Sequence, residues 1–454
     1  MTYEIYIHVP FCMRRCGYCD FNTYTAADLG AGASRGNYAN MVIREMELTR
    51  QWQLDHGIEE PAADTVFFGG GTPTILAADD LVTMLGAIRR IWGIAPNAEI
   101  TTEANPDTVN EYYINRLAEG GFTRISFGMQ SAVPHVLKTL DRTHTPANVA
   151  AGVAAANKAG LRSSVDLIYG APGESLDDWR TSVKTAIDLG VNHISAYALT
   201  VEPTTKMGRQ IAAGTLPKPN DDDEAAKYEI ADDLFTAAGL EWYEVSNWAK
   251  PGYESRHNLG YWRNVDWAGL GPGAHSHYNV VAGGLTSPLA DIPPTGNAFA
   301  SSGEDEQGLD RSEEVPAEIS TDATSTHALR AWDIAHPRLW GTAINESRIP
   351  WGGSEEITPA ENLEELIMLG LRIREGLDLD RINRAITAVG KQPAAAGNEM
   401  GLKLIDVTQL QPMVEDNLVT IAFDAEHHTR VIPTRKGRLL NDAVIETFFD
   451  LVGV

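Results

Sequence analysis

Cysteine is scarce in this chain of 454 residues. There are three, Cys12, Cys16 and Cys19, and none occurs elsewhere. An odd number so closely spaced argues against a disulfide framework and fits a reducing compartment. Long apolar runs are also missing. No stretch of about 18 or more apolar residues occurs, which argues against a transmembrane helix. The start, Met-Thr-Tyr-Glu-Ile-Tyr-Ile-His, carries neither a basic leader nor an apolar secretory core, so a cytoplasmic protein is expected. Positive charge is short as well, with 36 Lys and Arg against 62 Asp and Glu and a formal charge of −26. Such an acidic chain is a poor non-specific partner for nucleic acid or anionic lipid, although local basic pockets are compatible with it.

What is present reads as strands alternating with helices. Six β-type runs are expected at Glu4–Val9, Thr65–Gly69, Glu99–Ala104, Arg124–Phe127, Ser163–Tyr169 and His193–Ala198. Amphipathic stretches near Asn37–Trp52, Asp79–Trp92, Asn110–Glu119, Ala147–Ala159 and Leu176–Leu189 separate them. This spacing gives parallel βαβ units, in an open doubly wound sheet or an incomplete barrel. Either way, ligands bind at the C-terminal ends of the strands. A helix near Asp222–Ala238 and a strand near Glu241–Val245 follow. The length allows two to three domains. Residues 1–278 form the first. Residues 279–325 are rich in Gly, Ser, Thr and Pro, with nine acidic residues against Arg311 alone. They read as a flexible insertion, or alternatively as an ordered lid. Residues 326–454 form a smaller α+β domain. Its helices are expected at Asn362–Arg374, Leu402–Val414 and Gly437–Leu451, with a hairpin of Leu418–Ala422 and Thr429–Pro433. That order resembles a winged helix, but the acidic balance speaks against a nucleic-acid partner.

The cysteines follow the first strand directly, in the spacing C-x3-C-x2-C. Three thiolates so placed suit an Fe–S cluster, whereas three reduced thiols on a loop, or a zinc site with His8 as fourth ligand, are the competing readings. Gly69-Gly70-Gly71-Thr72-Pro73 ends the second strand, either to bring backbone N–H groups close to an anionic ligand or simply to turn tightly. Glu103 ends the third strand, Gln130 follows the fourth, Arg142 comes twelve residues later and Asp166 interrupts the apolar fifth. A charge inside a parallel strand is costly unless it is paired or faces a polar site. These four residues could converge on one pocket with the cysteine loop, although each alone could be a surface group or an ion-pair member.

Together these motifs resemble the radical S-adenosylmethionine enzymes, most closely the branch of the oxygen-independent coproporphyrinogen III dehydrogenases. The resemblance runs from Tyr6 to about Tyr278 and weakly onward through Met368–Arg372 and Glu375–Leu377. It implies an incomplete, three-quarter TIM-like (βα)6 barrel with a parallel sheet. It implies that Cys12, Cys16 and Cys19 hold a 4Fe–4S cluster whose open iron binds S-adenosylmethionine. Gly70, Gly71 and Thr72 would meet the amino-acid end of that cofactor, with Glu103 and Arg142. Gln130 and Asp166 would hold the ribose region, Tyr18 would lie near the adenine, and Tyr6 matches a family tyrosine near the cofactor. Two features depart from the dehydrogenases. Phe21 stands where they carry a fourth cysteine, and Arg256-His257-Asn258-Leu259-Gly260-Tyr261-Trp262 contains an H-N-x-x-Y-W pattern. That pattern resembles the HemW-like heme chaperones, and it makes His257 the candidate heme contact, with His275 and His277 as rivals. On residue type alone, His257 and Asn258 also read as a hydrogen-bonded turn with Tyr261 and Trp262 in the core. The resemblance implies heme as a third cofactor and heme-acceptor proteins, including membrane-bound respiratory proteins, as partners. The alternative is oxidative decarboxylation of coproporphyrinogen III.

Overall fold

The computed structural model describes residues 2–281, 327–389, 401–425 and 427–454. The expected insertion, apart from its first three residues, therefore lies outside the described residues. Six parallel strands form the centre: β1 (Tyr3–Val9), β2 (Ala63–Gly70), β3 (Ile94–Ala104), β4 (Arg124–Gln130), β5 (Arg162–Tyr169) and β6 (His193–Ala198). The helices between them are α1 (Tyr38–Asp55), α2 (Ala78–Ile91), α3 (Glu111–Gly120), α4 (Pro134–Thr139), α5 (Pro146–Lys158) and α6 (Leu176–Asp188). Their starts are chemically marked. The Asn110 side chain accepts from Tyr113 N–H, and Thr145 and Ser175 each close a capping box. Such caps satisfy N–H groups that the first helical turn leaves open, at about 1 kcal/mol each.

Strand periodicity divides the two faces of the sheet. Outward-facing Ile5, Ile7, Val66, Phe68, Ile125, Phe127, Val165 and Leu167 are buried against the helices. Replacing one of them, Ile125→Ala for example, is expected to cost about 2–5 kcal/mol. The alternate residues are mostly polar: Glu4 and Tyr6 on β1, Glu99, Thr101 and Glu103 on β3, Arg124 and Ser126 on β4, Ser164 and Asp166 on β5, and His193, Ser195 and Tyr197 on β6. Parallel strands covered on both faces are normally apolar on both. Here the second face is the polar lumen of an open barrel.

The sheet continues past the barrel. After α7 (Lys206–Ala212) and α8 (Asp221–Ala237) come β7 (Glu241–Glu244), β8 (Asn247–Ala249), α9 (Arg256–Trp262), β9 (Asp266–Leu270) and β10 (His275–Val281). Then follow β11 (His327–Asp333), α10 (Pro337–Asn345) and β12 (Trp351–Ile357). Among the described residues the twelve strands run in the order β12-β11-β10-β9-β1-β2-β3-β4-β5-β6-β8-β7. Thus β11 and β12, from a stretch assigned by sequence to the C-terminal domain, extend the large sheet.

The C-terminal part has its own core around Leu363, Leu371, Val431 and Phe448. It comprises α11 (Pro359–Gly370), β13 (Leu377–Asp378), α12 (Leu379–Val389), α13 (Gln411–Glu415), β14 (Val419–Phe423), β15 (Thr429–Pro433), α14 (Arg435–Leu439) and α15 (Asn441–Val452). The expected hairpin is present. The helix expected over Leu402–Val414 is not, because only Gln411–Glu415 is helical. The Asn383 side chain holds both Ile405 N–H and Ile405 C=O, and Lys403 N–H donates to Val452 C=O. These bonds draw the segment out as a strap between α12 and α15. The expected closing helix breaks at Leu440 into α14 and α15.

Candidate functional site

A cavity of about 740 Å³ opens into the barrel lumen, and its wall includes Cys12, Cys16 and Cys19. That size suits a small-molecule or cofactor site. Tyr6, Tyr18, Gly70, Gly71, Thr72, Glu103, Gln130, Arg142, Asp166 and His257 line the same space. The fold therefore brings together residues spread over some 250 positions of chain.

The cysteine loop is fixed from several sides. Cys12 N–H donates to Tyr24 C=O, and Cys19 N–H to Cys16 C=O. Gly17 C=O accepts from Met207 N–H at the start of α7. Asp141 binds Arg14 at 2.9 Å and Lys206 at 2.7 Å. Asn22 donates to Pro272 C=O and Ala335 C=O, while its own carbonyl lies 3.0 Å from His8 Nε2. The sulfurs meet donors: Thr72 Oγ1 is 3.5 Å from Cys12 Sγ, and Arg142 Nη1 is 3.6 Å from Cys16 Sγ. Burial pushes the free Cys19 thiol up to about 11 and raises Cys12, so a thiolate form calls for compensating positive charge. Among the described residues no three of His, Cys, Asp and Glu converge on a point where one metal ion could sit. A polynuclear cluster makes no such demand, because each thiolate binds a different iron. His8 Nε2 already faces Asn22 C=O, so the fourth ligand of the zinc alternative is engaged elsewhere.

In the glycine run, which lines the same cavity, two backbone N–H groups are already engaged. Gly71 N–H donates to Val9 C=O and Thr72 N–H to Phe11 C=O, so neither is open to an anion. A Cβ on Gly71 would lie 2.7 Å from Phe11 C=O, and Gly70 holds φ +101° against the His8 ring. The run lets β2 approach the chain leading into the cysteine loop.

Gln130 is the strained member. It adopts φ +61° beside a register shift between β4 and β5, and its buried Oε1 has no hydrogen-bond partner. A bulge there re-aims the side chain toward the lumen, and such strain concentrates at functional sites. Arg142 donates from Nη2 to Gly128 C=O at 2.8 Å. Asp166 accepts from Ser126 Oγ at 3.0 Å. Burial, with Asp166 nearby, pushes Glu103 up to about 8, and burial also raises Asp166. These carboxyls are thus arranged to accept or share hydrogens from a polar ligand.

His257 belongs to the lumen floor. Its Nδ1 lies 2.6 Å from Thr65 Oγ1 and its Nε2 lies 3.0 Å from Tyr261 Oη. The ring stacks on Phe67, with centroids 5.0 Å apart. Burial pushes its pKa down to about 3, so the ring is neutral. A neutral imidazole is the form that ligates iron, yet both ring nitrogens are engaged, and heme ligation would have to displace Tyr261. Asn258 donates to Glu244, as the turn reading of the motif requires. Of the rivals, His275 is exposed, whereas His277 is buried, stacks on Trp267 and leaves Nε2 without a hydrogen-bond partner.

Sequence reasoning passed over Arg124, Ser126, His193, Ser195 and Tyr197, all of which line the cavity. The available signal was the polar alternation along strands that topology requires to be covered on both faces.

The chain matches the Radical SAM superfamily over residues 6–186 and the HemN C-terminal domain over residues 357–440. It is 36% identical over 446 residues to the heme chaperone HemW of Mycobacterium tuberculosis, covering 98% of this chain and 94% of that protein. The heme chaperone HemW of Bacillus subtilis is 36% identical over 378 residues, covering 83% and 85%. That of Escherichia coli is 35% identical over 294 residues, covering 64% and 75%. In fold, the chain is similar to the Escherichia coli coproporphyrinogen III oxidase HemN, a radical SAM enzyme. The TM-score is 0.70 at 18% identity, over 98% of this chain and 90% of that one.

Proposed function

The chain belongs to the HemW family of heme chaperones, and from that premise we propose that it binds a 4Fe–4S cluster, S-adenosylmethionine and heme, and delivers heme to acceptor proteins. The observation that carries the reading is the opening of three cysteines onto one cavity with Gln130, Arg142, Glu103 and Asp166. Cys12, Cys16 and Cys19 would ligate the cluster, which supplies an electron-transfer centre with one open iron when bound. Arg142 places positive charge beside the Cys16 sulfur. Gln130 Oε1 offers an unused acceptor, and the buried Glu103 and Asp166 offer polar contacts to a ribose or an amino group. Gly70, Gly71 and Thr72 line the same cavity, and with the Gly71 and Thr72 N–H groups tied to the loop backbone it is carbonyl rather than N–H groups that would meet the amino-acid end of S-adenosylmethionine. Heme would enter from the mouth, where Met13 and Phe21 are 68% and 60% exposed beside Arg14 and Arg15. Apolar side chains there suit a macrocycle face, and the acceptor would meet the same rim.

The test is anaerobic reconstitution. Wild type is expected to take up iron and sulfide and to show thiolate-to-iron charge-transfer absorbance, and Cys12→Ser, Cys16→Ser or Cys19→Ser to lose most of both. Full iron content in the triple variant would remove the cluster assignment. Heme titration should then give a saturable spectral change. An assay with coproporphyrinogen III separates the second reading, which the fold likeness to HemN keeps in view. Formation of protoporphyrinogen IX would replace the chaperone with an oxidative decarboxylase.

A further inference from the structure

We infer that Glu45 and Asp333 form a proton-sharing clasp for the cysteine loop, and that the loop loosens its hold on the cluster as the clasp gives up protons. The cluster rests on the proposed function, whereas the clasp rests on the following geometry. Glu45 lies on α1, Asp333 ends β11, and the two are 1% and 3% exposed. Their carboxyls meet in a hydrogen bond. Ionised carboxylates only accept, so one of the two carries the hydrogen. Glu45 Oε2 accepts from Gly271 N–H at 2.8 Å, and the buried Trp340 indole of α10 faces the same carboxyl. Glu45 Oε1 and Asp333 Oδ2 are buried and find no donor in another residue. No lysine or arginine acts on either group. Arg44, next to Glu45 on α1, turns instead to Ile344 and Asn345. The remaining titratable neighbour is Tyr38 of α1, which burial holds neutral. Burial raises both carboxyls, and Glu45 raises Asp333 further, so the pair keeps protons and titrates as a unit.

The clasp ties together the two segments that hold the loop. Pro272 C=O, one residue past Gly271, accepts from Asn22 Nδ2 at 2.9 Å. Ala335 C=O, two residues past Asp333, accepts from the same nitrogen at 2.8 Å. Asp333 N–H donates to Ala274 C=O, so the two segments lie side by side. Asn22 bridges them, and its two bonds persist only while they stay together. Gly271 also has no slack. A Cβ there would lie 2.5 Å from both His8 C=O and Tyr38 Oη. Tyr38 donates to that carbonyl and meets the ring of Phe11, the neighbour of Cys12, edge-on. A shift at Gly271 is therefore felt at both ends of the loop. The sign follows from the raised carboxyls. Unfolded, they ionise near 4.5 and 3.8, whereas the folded pair holds protons to higher pH. The clasp thus contributes fully below about 4, and rising pH removes that contribution by up to tenfold per pH unit for each proton released to solvent.

The experiment pairs wild type with the double variant Glu45→Gln, Asp333→Asn. Its amides keep one N–H···O=C bond and an acceptor for Gly271, with no proton to lose. Amide exchange of the full chain without cluster is measured at pH 6 and pH 8, and intrinsic exchange is divided out. Wild type is expected to lose about tenfold or more of its protection across residues 12–24 between the two, and the double variant to lose none. Amides of α5, remote from the pair, serve as the control and should behave alike in both proteins. Iron loss from the reconstituted protein should follow the same pattern, faster at pH 8 in wild type alone. Protonation of the cysteine thiolates would give the opposite trend, with faster loss at pH 6. Equal protection of the wild-type loop at the two pH values would overturn the clasp, as would parallel profiles in the two proteins. If the double variant does not fold, Asp333→Asn decides: a weakened pH dependence supports the clasp, and an unchanged one overturns it. If wild type takes up no iron, the cluster reading fails, and loop exchange without cluster still decides the clasp.

Discussion

Burial pushes the Glu4 carboxyl up to about 9 and His257, 3.4 Å away, down to about 3, so both are neutral at ordinary pH. Unfolded, Glu4 ionises near 4.5. Between there and about 9 the folded chain holds a proton that the unfolded chain has released, so this contribution to stability is full below 4.5 and is lost as pH rises. His257 works in reverse. Unfolded, it takes up a proton below about 6.5 that the folded ring refuses down to about 3, so stability falls as pH drops through that window. Glutamine mimics the neutral acid. Glu4→Gln is therefore expected to stabilise the protein by roughly 2–4 kcal/mol at pH 8, with the gain shrinking toward zero at pH 5. Chemical denaturation at the two pH values measures it, and a pH-independent difference would refute the neutral-acid account. Residues such as Glu103, Gln130 and Asp166 were legible in the sequence because each stands at the end of a strand or interrupts an apolar run. Arg124 was not, because a charged residue at the first position of a strand reads as exposed. Only the register with Thr101 and Arg162 places it inside the barrel.

The cysteine loop is an element without regular hydrogen bonding, and its order comes from its neighbours. Asn22 alone joins it to the turn after β9, the start of α10 and His8 on β1. Asn22→Ala removes the donors of one part-buried and one exposed carbonyl and is expected to cost about 1–2 kcal/mol locally. Faster amide exchange across residues 12–24 and quicker iron loss from the reconstituted protein would report it. Unchanged exchange would mean that Asp141 and the Gly71–Val9 bond suffice. Sequence periodicity located the six barrel strands and five of the six helices, three of which carry a side-chain cap, but it missed the short α4 and the first five residues of β3. It failed at Leu402–Val414, where the apolar spacing looks helical but Asn383 and Val452 claim the backbone. Such competition between distant partners leaves no local trace in sequence.

Across the whole molecule, two separate cores meet along a seam of arginines on acids. Arg435 and Arg438 reach Asp232 on α8, and Arg263 pairs with Glu375. Arg438 lies 4.4 Å from the Trp242 ring centroid and is nearly buried. Arg438→Ala removes one charged partner of Asp232, which keeps Arg435 and Trp248 Nε1, and is expected to cost about 1–3 kcal/mol. The expected readout is a lower melting temperature with earlier proteolytic cleavage between the sheet and the C-terminal part. A change in melting temperature below 1 °C would show that the apolar contacts alone hold the seam. Nothing in local sequence identifies these partners, since the pairs span up to about 200 residues. The sheet, finally, ends at β12 on one side and β7 on the other, and among the described residues these edges do not hydrogen-bond to each other. A closed barrel has its bore set by strand number and stagger. This one has no such closure, so its bore is set by what fills it. A change in strand twist would therefore alter the bore without breaking a rung of the ladder.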